Sequence, residues 1–433
     1  MNYVIIGSGV AGIAAVEAIR SGDTAGRVVM IGDDPHGFYS RPGLAYYLTG
    51  ELHDKALFPR TGDDWRKLNF QYVKGSVSKI LRDQHALELT AGQPPLFYDR
   101  LLIAVGAQAV PLEVPGANLA GVLKLDHMED AKRILKFARR GKTAVVVGGG
   151  ITALELVEGL VSRGLKVHYL LRGDRYWSNV LDPQESNIVE HRLQEEGVKL
   201  HYHAETNEVT EQNGRVSGVR LLNGQMLKCD LVAYAIGIRP RVELARQAGL
   251  AIDRGILVNE YLQTNDPDIF AAGDVAQVYD PGSGRSVLDS LWAPARQQGQ
   301  AAGLNMTGKR FAYIKALPFN VTRLAGLTTT IIGTVGRGRD DDLVGIARGD
   351  SETWRQLPDS LVAQTGFEVN RLRLLVGEKT LLGAVVMGDQ KLSQPLQKMI
   401  SGKMDISPIR EKLLTPNAKL GDIVAEFWAS CRR

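Results

Sequence analysis

The chain has 433 residues, more than one hydrophobic core usually serves, so two or three domains are expected. Hydrophobic residues make up 44% and charged residues 23%, and the formal charge of +4 comes from scattered Lys and Arg, not from a basic stripe with interleaved aromatics. That pattern argues against a nucleic-acid footprint while leaving room for an acidic protein partner, and no run approaches the roughly 18 to 20 apolar residues that span a bilayer.

Met1-Asn2-Tyr3 leads directly into the apolar run Val4 to Ile6, which leaves no room for a signal sequence, so a cytoplasmic location is expected. The strand-like run is followed by Gly7-Ser8-Gly9-Val10-Ala11-Gly12, by the helix formers Ala14 to Ile19, by a β-rich run Arg27 to Ile31, and by Asp33-Asp34. A dinucleotide-binding unit needs this order. Its first glycine allows a tight turn, its second lets the backbone approach a pyrophosphate, and its third lets helix and strand pack closely. An acid about 20 residues on can bind the adenosine ribose hydroxyls. The phosphates meet the helix N-terminus, where free N–H groups and the dipole favour negative charge.

Further along, residues 70–89 alternate apolar and polar as strands do, and Tyr98 to Ala104 ends at Val105-Gly106 like a buried strand. Pro111 and Pro115-Gly116 mark a domain crossing. A second glycine motif then appears as Gly148-Gly149-Gly150-Ile151-Thr152-Ala153, with Val157-Glu158 falling where Val16-Glu17 falls in the first copy and a β-rich run Lys166 to Leu171 following. The repeat predicts two βαβ units, an α/β fold with parallel sheets. Ala153 replaces the third glycine and is small enough to keep helix and strand close. At the end of the second strand a ribose-binding acid would indicate NAD, and an arginine the 2′-phosphate of NADP. Here the strand runs into Arg172-Gly173-Asp174-Arg175, so NADP(H) is favoured over NAD(H), with Arg172 the principal contact and Arg175 its support. The alternative is a solvated surface turn.

A return crossing is expected near Gly237-Ile238-Arg239-Pro240, followed by Thr264 to Phe270 and Ala271-Ala272-Gly273-Asp274. Trp292 precedes a helix start, Ala293 to Gly299. After about Phe311 short β-branched runs lead to a helical tail, which indicates a separate α+β domain. Ile423-Val424 and Phe427-Trp428 give the tail a packing face, and Arg432-Arg433 at its end leave a docking or membrane-surface helix as the alternative. The chain has two cysteines, Cys229 and Cys431, without metal-ligand or redox-pair spacing, so no metal site and no thiol relay are expected.

These motifs together resemble the two-dinucleotide FAD/NAD(P)H reductases, the branch that holds rubredoxin and ferredoxin reductases, the N-terminal regions of NAD(P)H-nitrite reductases and apoptosis-inducing factor. The residues that carry the resemblance are the two glycine motifs, Asp33-Asp34-Pro35 with Tyr39-Ser40-Arg41-Pro42, Leu102 to Gly106, and Thr264 to Asp274. It implies a glutathione-reductase-like architecture: an FAD domain over 1–112 and 238–312, an NAD(P)H domain over 113–237, and a C-terminal interface domain over 313–433. It implies that Asp33 binds ribose, that Arg41 approaches the pyrophosphate or flavin, and that Asp274 accepts hydrogen bonds from the ribityl chain, as a carboxylate after Ala-Gly at a strand end can.

By the same resemblance Glu155 lies near nicotinamide and flavin; a solvent-facing glutamate favoured by the helix dipole is the alternative. Tyr46 stands where many relatives have a lysine that pairs with that glutamate, which makes Glu155, Arg41 and Tyr46 the candidate catalytic set. Trp292 either shields the flavin ring or fills a domain junction. The implied activity is hydride transfer from NAD(P)H to FAD, then electron transfer to rubredoxin, ferredoxin or a reductase subunit. A membrane-peripheral quinone reductase and an FAD-binding scaffold with little turnover are the rivals.

Overall fold

The computed structural model describes residues 1–281, 283–335, 371–416 and 418–431, so Arg432 and Arg433 lie outside the described residues. The chain forms two compact units: residues 1–113, 123–138 and 234–315 make the first, and residues 114–122, 139–233 and 316–433 the second.

In the first unit five parallel strands lie in the order Ile269–Ala271, Arg100–Ile103, Asn2–Ile6, Arg27–Gly32 and Gln71–Lys74. The central strands read as near-continuous apolar runs because both faces are covered: Val4, Ile5, Met30, Ile31, Leu101 and Leu102 are all buried. Helix Val10–Gly22 crosses helix Trp292–Met306 at a distance that only small residues permit. A Cβ on Gly299 would stand 2.1 Å from the Ala11 carbonyl oxygen, and one on Gly303 would stand 2.5 Å from that of Ala15. The alternating stretch 70–89 resolves into Gln71–Lys74, Val77–Leu81 and Ala86–Leu89, the last two pairing antiparallel.

The second unit repeats the βαβ plan. Strands Lys199–His201, Lys166–Leu170 and Thr143–Val147 run parallel, Leu231–Tyr234 lies next to Thr143–Val147, and helix Ile151–Ser162 follows the glycine turn. The repeat is visible in single hydrogen bonds. Gly7 N–H donates to Ile31 O at 2.8 Å and Gly148 N–H to Leu170 O at 3.4 Å; Ile13 N–H donates to Gly9 O, and Leu154 N–H to Gly150 O. The looser first contact in the second copy accompanies a fully buried Ala153, where the first copy has glycine.

The α+β domain expected after Phe311 is a four-stranded antiparallel sheet ordered Phe319–Leu324, Leu327–Gly333, Leu381–Met387 and Arg371–Val376, packed with helices Ser393–Ser401, Arg410–Leu414 and Leu420–Ser430. Its first hairpin turns through Ala325 (φ +46°) and Gly326 (φ +77°), the two positive φ values a tight hairpin requires. Within this unit Gly326 N–H donates to Glu158 at 3.0 Å and the Ala325 carbonyl accepts from Arg192 at 2.6 Å, which ties the hairpin tip to two helices of the βαβ region. In the tail Val424 is buried, with Ile423, Phe427 and Trp428 packed on the same core, so this helix is a packing element.

Candidate dinucleotide sites

In the first unit, strands Asn2–Ile6, Arg100–Ile103 and Ile269–Ala271 bring their carboxyl ends to one edge, with Ile6 and Ala271 both level with Ile103. Strand Asn2–Ile6 has Arg27–Gly32 on one side and Arg100–Ile103 on the other, so its end is the point where strand order reverses, the usual ligand position in an open parallel sheet. Each of the three strands leads into a left-handed glycine: Gly7, Gly106 and Gly273 have φ of +112°, +69° and +79°.

The protein itself demands some of these glycines and not others. A Cβ on Gly7 would lie 2.2 Å from Ala104 O, and one on Gly12 would lie 2.2 Å from Gly7 O, whereas nothing stands within 4 Å of a Cβ on Gly9 or Gly106. Gly7 and Gly12 are therefore packing necessities, Gly106 is demanded by its left-handed backbone, and Gly9 and Gly106 face open space. Helix Val10–Gly22 starts at Gly9 with no capping side chain and no acid in its first turn, so its leading N–H groups turn toward that space unneutralised. A pyrophosphate fits that cradle in shape and sign.

The two adjacent aspartates separate in role. Asp33 is exposed at the strand end and accepts from Ser76 Oγ at 3.1 Å. Asp34 is bound up in its own loop, accepting from His36 N–H at 2.9 Å and the Tyr39 hydroxyl at 3.3 Å, with His127 Nδ1 at 3.8 Å. Tyr39, whose ring is buried, also accepts from Met128 N–H at 2.9 Å, so helix Met128–Phe137 clasps the loop that carries Arg41. Burial, and secondarily the Arg41 charge, holds the His127 imidazole below its ordinary pKa of 6.5. Neither Tyr39 nor His127 was legible as a support, because each acts through a partner far away in sequence.

Val105 follows strand Arg100–Ile103 in the same turn as Gly106. Tyr46 lies in the short helix Leu44–Thr49, which begins just after Arg41, and its carbonyl accepts from Leu52 N–H at 3.1 Å. Asp274 lies half-buried in the turn after Ile269–Ala271, where Gly273 N–H donates to the buried Gln298 at 2.8 Å. That contact ties the turn before Asp274 to helix Trp292–Met306, and no sequence signal distinguished Gln298 from its neighbours. Trp292 opens the helix and is half-buried beside Phe38, ring centres 6.1 Å apart, with Trp65 6.2 Å beyond Phe38.

In the second unit Gly148 takes φ +141° and helix Ile151–Ser162 starts at Gly150, again with no capping side chain and no acid in its first turn. Glu155 is half-buried one turn into that helix, and it belongs to a different unit from Arg41 and Tyr46. Arg172 is exposed at the end of strand Lys166–Leu170. Arg175 is engaged, its guanidinium 3.1 Å from both Asp174 oxygens and 3.2 Å from the Ser178 carbonyl.

Cys229 is buried and Cys431 exposed, and both are free. Burial pushes the Cys229 thiol up to about 12, so at neutral pH it is protonated and unreactive. Among the described residues no group of three or more His, Cys, Asp or Glu could hold a metal ion, and no helix is long and apolar enough to cross a membrane.

A strand-order reversal with two uncapped glycine-turn helix starts defines a two-dinucleotide protein. Residues 1–299 match the family described as pyridine nucleotide-disulphide oxidoreductase, and the chain belongs to that family. Membership implies FAD and NAD(P)H as cofactors. The chain is 33% identical to putidaredoxin reductase of Pseudomonas putida, over 92% of this chain and 97% of that protein. It is 27% identical to nitrite reductase [NAD(P)H] of Bacillus subtilis over 94% of this chain but 48% of that protein, so it spans about half the length of that relative. The solved covalent putidaredoxin reductase–putidaredoxin complex matches with a TM-score of 0.81 at 25% identity, covering 98% of each chain. The α/β fold read from the repeat is therefore the family's fold.

Proposed function

We propose that the chain is an NAD(P)H-dependent FAD oxidoreductase that passes electrons to an external acceptor, a rubredoxin, a ferredoxin or a reductase partner subunit. The observation that carries this reading is the open, uncapped glycine turn at Gly9, with a second uncapped helix start at Gly150, in a chain whose two cysteines are both free. Bound FAD would supply the ability to accept a hydride equivalent from the nicotinamide nucleotide and to release electrons singly. The name of putidaredoxin reductase supports the choice of a small electron carrier as acceptor.

The chain's own groups then bind and orient. The N–H groups after Gly9 hold the FAD pyrophosphate with Arg41 as counter-charge, Asp33 takes the adenosine ribose, and Asp274 the ribityl hydroxyls. Gly106 and Val105 leave room beside them, and Trp292 covers part of the flavin. The turn Gly148 to Gly150 holds the NAD(P)H pyrophosphate, with Glu155 contributing negative charge on the nucleotide side and Tyr46 a hydroxyl on the flavin side. The domain division proposed is 1–112 with 238–312 for FAD, 113–237 for NAD(P)H and 313–433 for the interface domain, in a cytoplasmic protein. The exposed Arg172, at a strand end that lacks an acid, favours NADP(H).

Purified protein should be yellow and release FAD, and anaerobic mixing with NADPH and NADH should bleach the flavin. The reduced protein, mixed with rubredoxin, ferredoxin and quinone in turn, should reoxidise fastest with a protein carrier. Colourless protein that fails to take up added FAD would overturn the reading.

A further inference from the structure

The loop that carries Arg172 and Arg175 is held by a buried carboxylate outside the glycine and arginine motifs. Glu190, on helix Pro183–Glu195, is only 8% exposed. One of its oxygens accepts the Tyr176 N–H at 2.6 Å and the other accepts the Tyr202 hydroxyl at 2.8 Å. One helical turn earlier, buried Ser186 donates its hydroxyl to the Tyr176 carbonyl at 2.7 Å. Residues 186 and 190 share a helix face, so both backbone groups of Tyr176 are satisfied from one side. Tyr202 follows strand Lys199–His201, and that segment is stitched to the same loop: Leu171 N–H donates to His201 O at 2.8 Å, His203 N–H to Gly173 O at 3.1 Å, and Ala204 N–H to Leu171 O at 3.0 Å. At the far end Arg373, on strand Arg371–Val376, donates to the Val180 carbonyl and to Glu185, each at 2.8 Å. A buried carboxylate deprived of its donors is costly, so Glu190 selects the one loop placement that supplies both.

We propose that Glu190 is a positioning residue for pyridine-nucleotide binding: by fixing both Tyr176 and Tyr202 to the helix, it sets where Arg172 meets the ribose end of the nucleotide. This rests on the reading of Gly148 to Arg172 as the nucleotide site. Glu190 lies behind the loop and acts through it.

The test is steady-state and anaerobic single-turnover reduction of the FAD-loaded protein by NADPH and by NADH. Glu190→Gln keeps the size but replaces one acceptor oxygen by a donor, and Tyr202→Phe removes one partner while leaving the carboxylate. We expect Glu190→Gln to raise the KM for NADPH roughly tenfold and Tyr202→Phe roughly threefold, with kcat within about twofold and FAD content and Tm close to wild type. In an Arg172→Ala background Glu190→Gln should add little further loss with NADPH, because the two act in series. Unchanged KM for both nucleotides in both variants overturns the inference, as does full additivity with Arg172→Ala, or a loss that falls on kcat alone. A wild type that binds neither nucleotide overturns the site reading and this inference with it; a working wild type with indifferent variants overturns this inference alone.

Discussion

Asp33 and Asp34 are chemically identical neighbours, yet one is exposed at the strand end and the other is consumed by its own loop. Asp33→Asn should therefore act directly on FAD affinity, and Asp34→Asn through the order of the loop that carries Arg41. Asp274→Ala should raise the Kd for FAD at least about tenfold, as loss of charge-assisted hydrogen bonds to hydroxyls does, read by fluorescence on reconstituting apoprotein. Unchanged affinity would remove Asp274 from the site. The two arginines separate in the same way. Arg172 is exposed with no hydrogen-bond or ion-pair partner among the described residues, which leaves its fork for a phosphate, a contact of about 1.5 to 3 kcal/mol, so Arg172→Ala should cut kcat/KM for NADPH roughly ten- to a hundredfold and barely touch NADH. Arg175→Ala should do less, since its guanidinium is already paired with Asp174 and the Ser178 carbonyl. Equal losses with both nucleotides in Arg172→Ala would make it a general phosphate contact.

At the scale of elements, the crossing of helices Val10–Gly22 and Trp292–Met306 sets the proposed FAD cradle, because the first begins at Gly9 and the second is tied to the turn before Asp274. Gly299→Val would drive a side chain into the backbone of Ala11, where even a Cβ stands 2.1 Å from the carbonyl oxygen. The expected outcome is destabilisation by about 2 kcal/mol or more with loss of FAD, measured by urea unfolding and flavin absorbance. Strands Lys166–Leu170 and Lys199–His201 are joined by a second device: His168 Nδ1 and His201 Nε2 lie 2.9 Å apart in stacked rings. Burial first, then His201 and Lys199, lowers the His168 pKa from its ordinary 6.5, and burial and Lys199 lower that of His201. Since the folded values lie below the unfolded ones, this contribution is fully present above about pH 6.5 and is lost as pH falls through the folded values. Tm should drop from pH 7.5 to pH 5, and His168→Phe should flatten the slope; an unaltered slope would place the acid sensitivity elsewhere.

For the whole molecule, the two free cysteines bear on the proposed electron path. A Cys229→Ala/Cys431→Ala variant should reduce its flavin and turn over with one-electron acceptors at the wild-type rate, since one thiol is buried and protonated and the other lies in the tail. A large loss in stopped-flow reduction would reveal a thiol in the path. Two kinds of acceptor fit the proposed function, a partner subunit and a free carrier, which copurification and the acceptor panel separate.

The sequence by itself determined the two βαβ units, the family and the glycine turns. Each of these is written in contiguous residues whose spacing follows from one strand, one turn and one helix. Only the tertiary structure decided which of two adjacent aspartates is available, which arginine is free, and which glycines the protein needs for its own packing. Those answers depend on Tyr39, Met128, Ser178 and Ala104, groups brought to the sites by chain crossings. Gln298, Glu190 and Arg373 were invisible for the same reason. A polar residue on a helix or strand looks solvated in sequence, and burial against a distant loop is what turns it into a support.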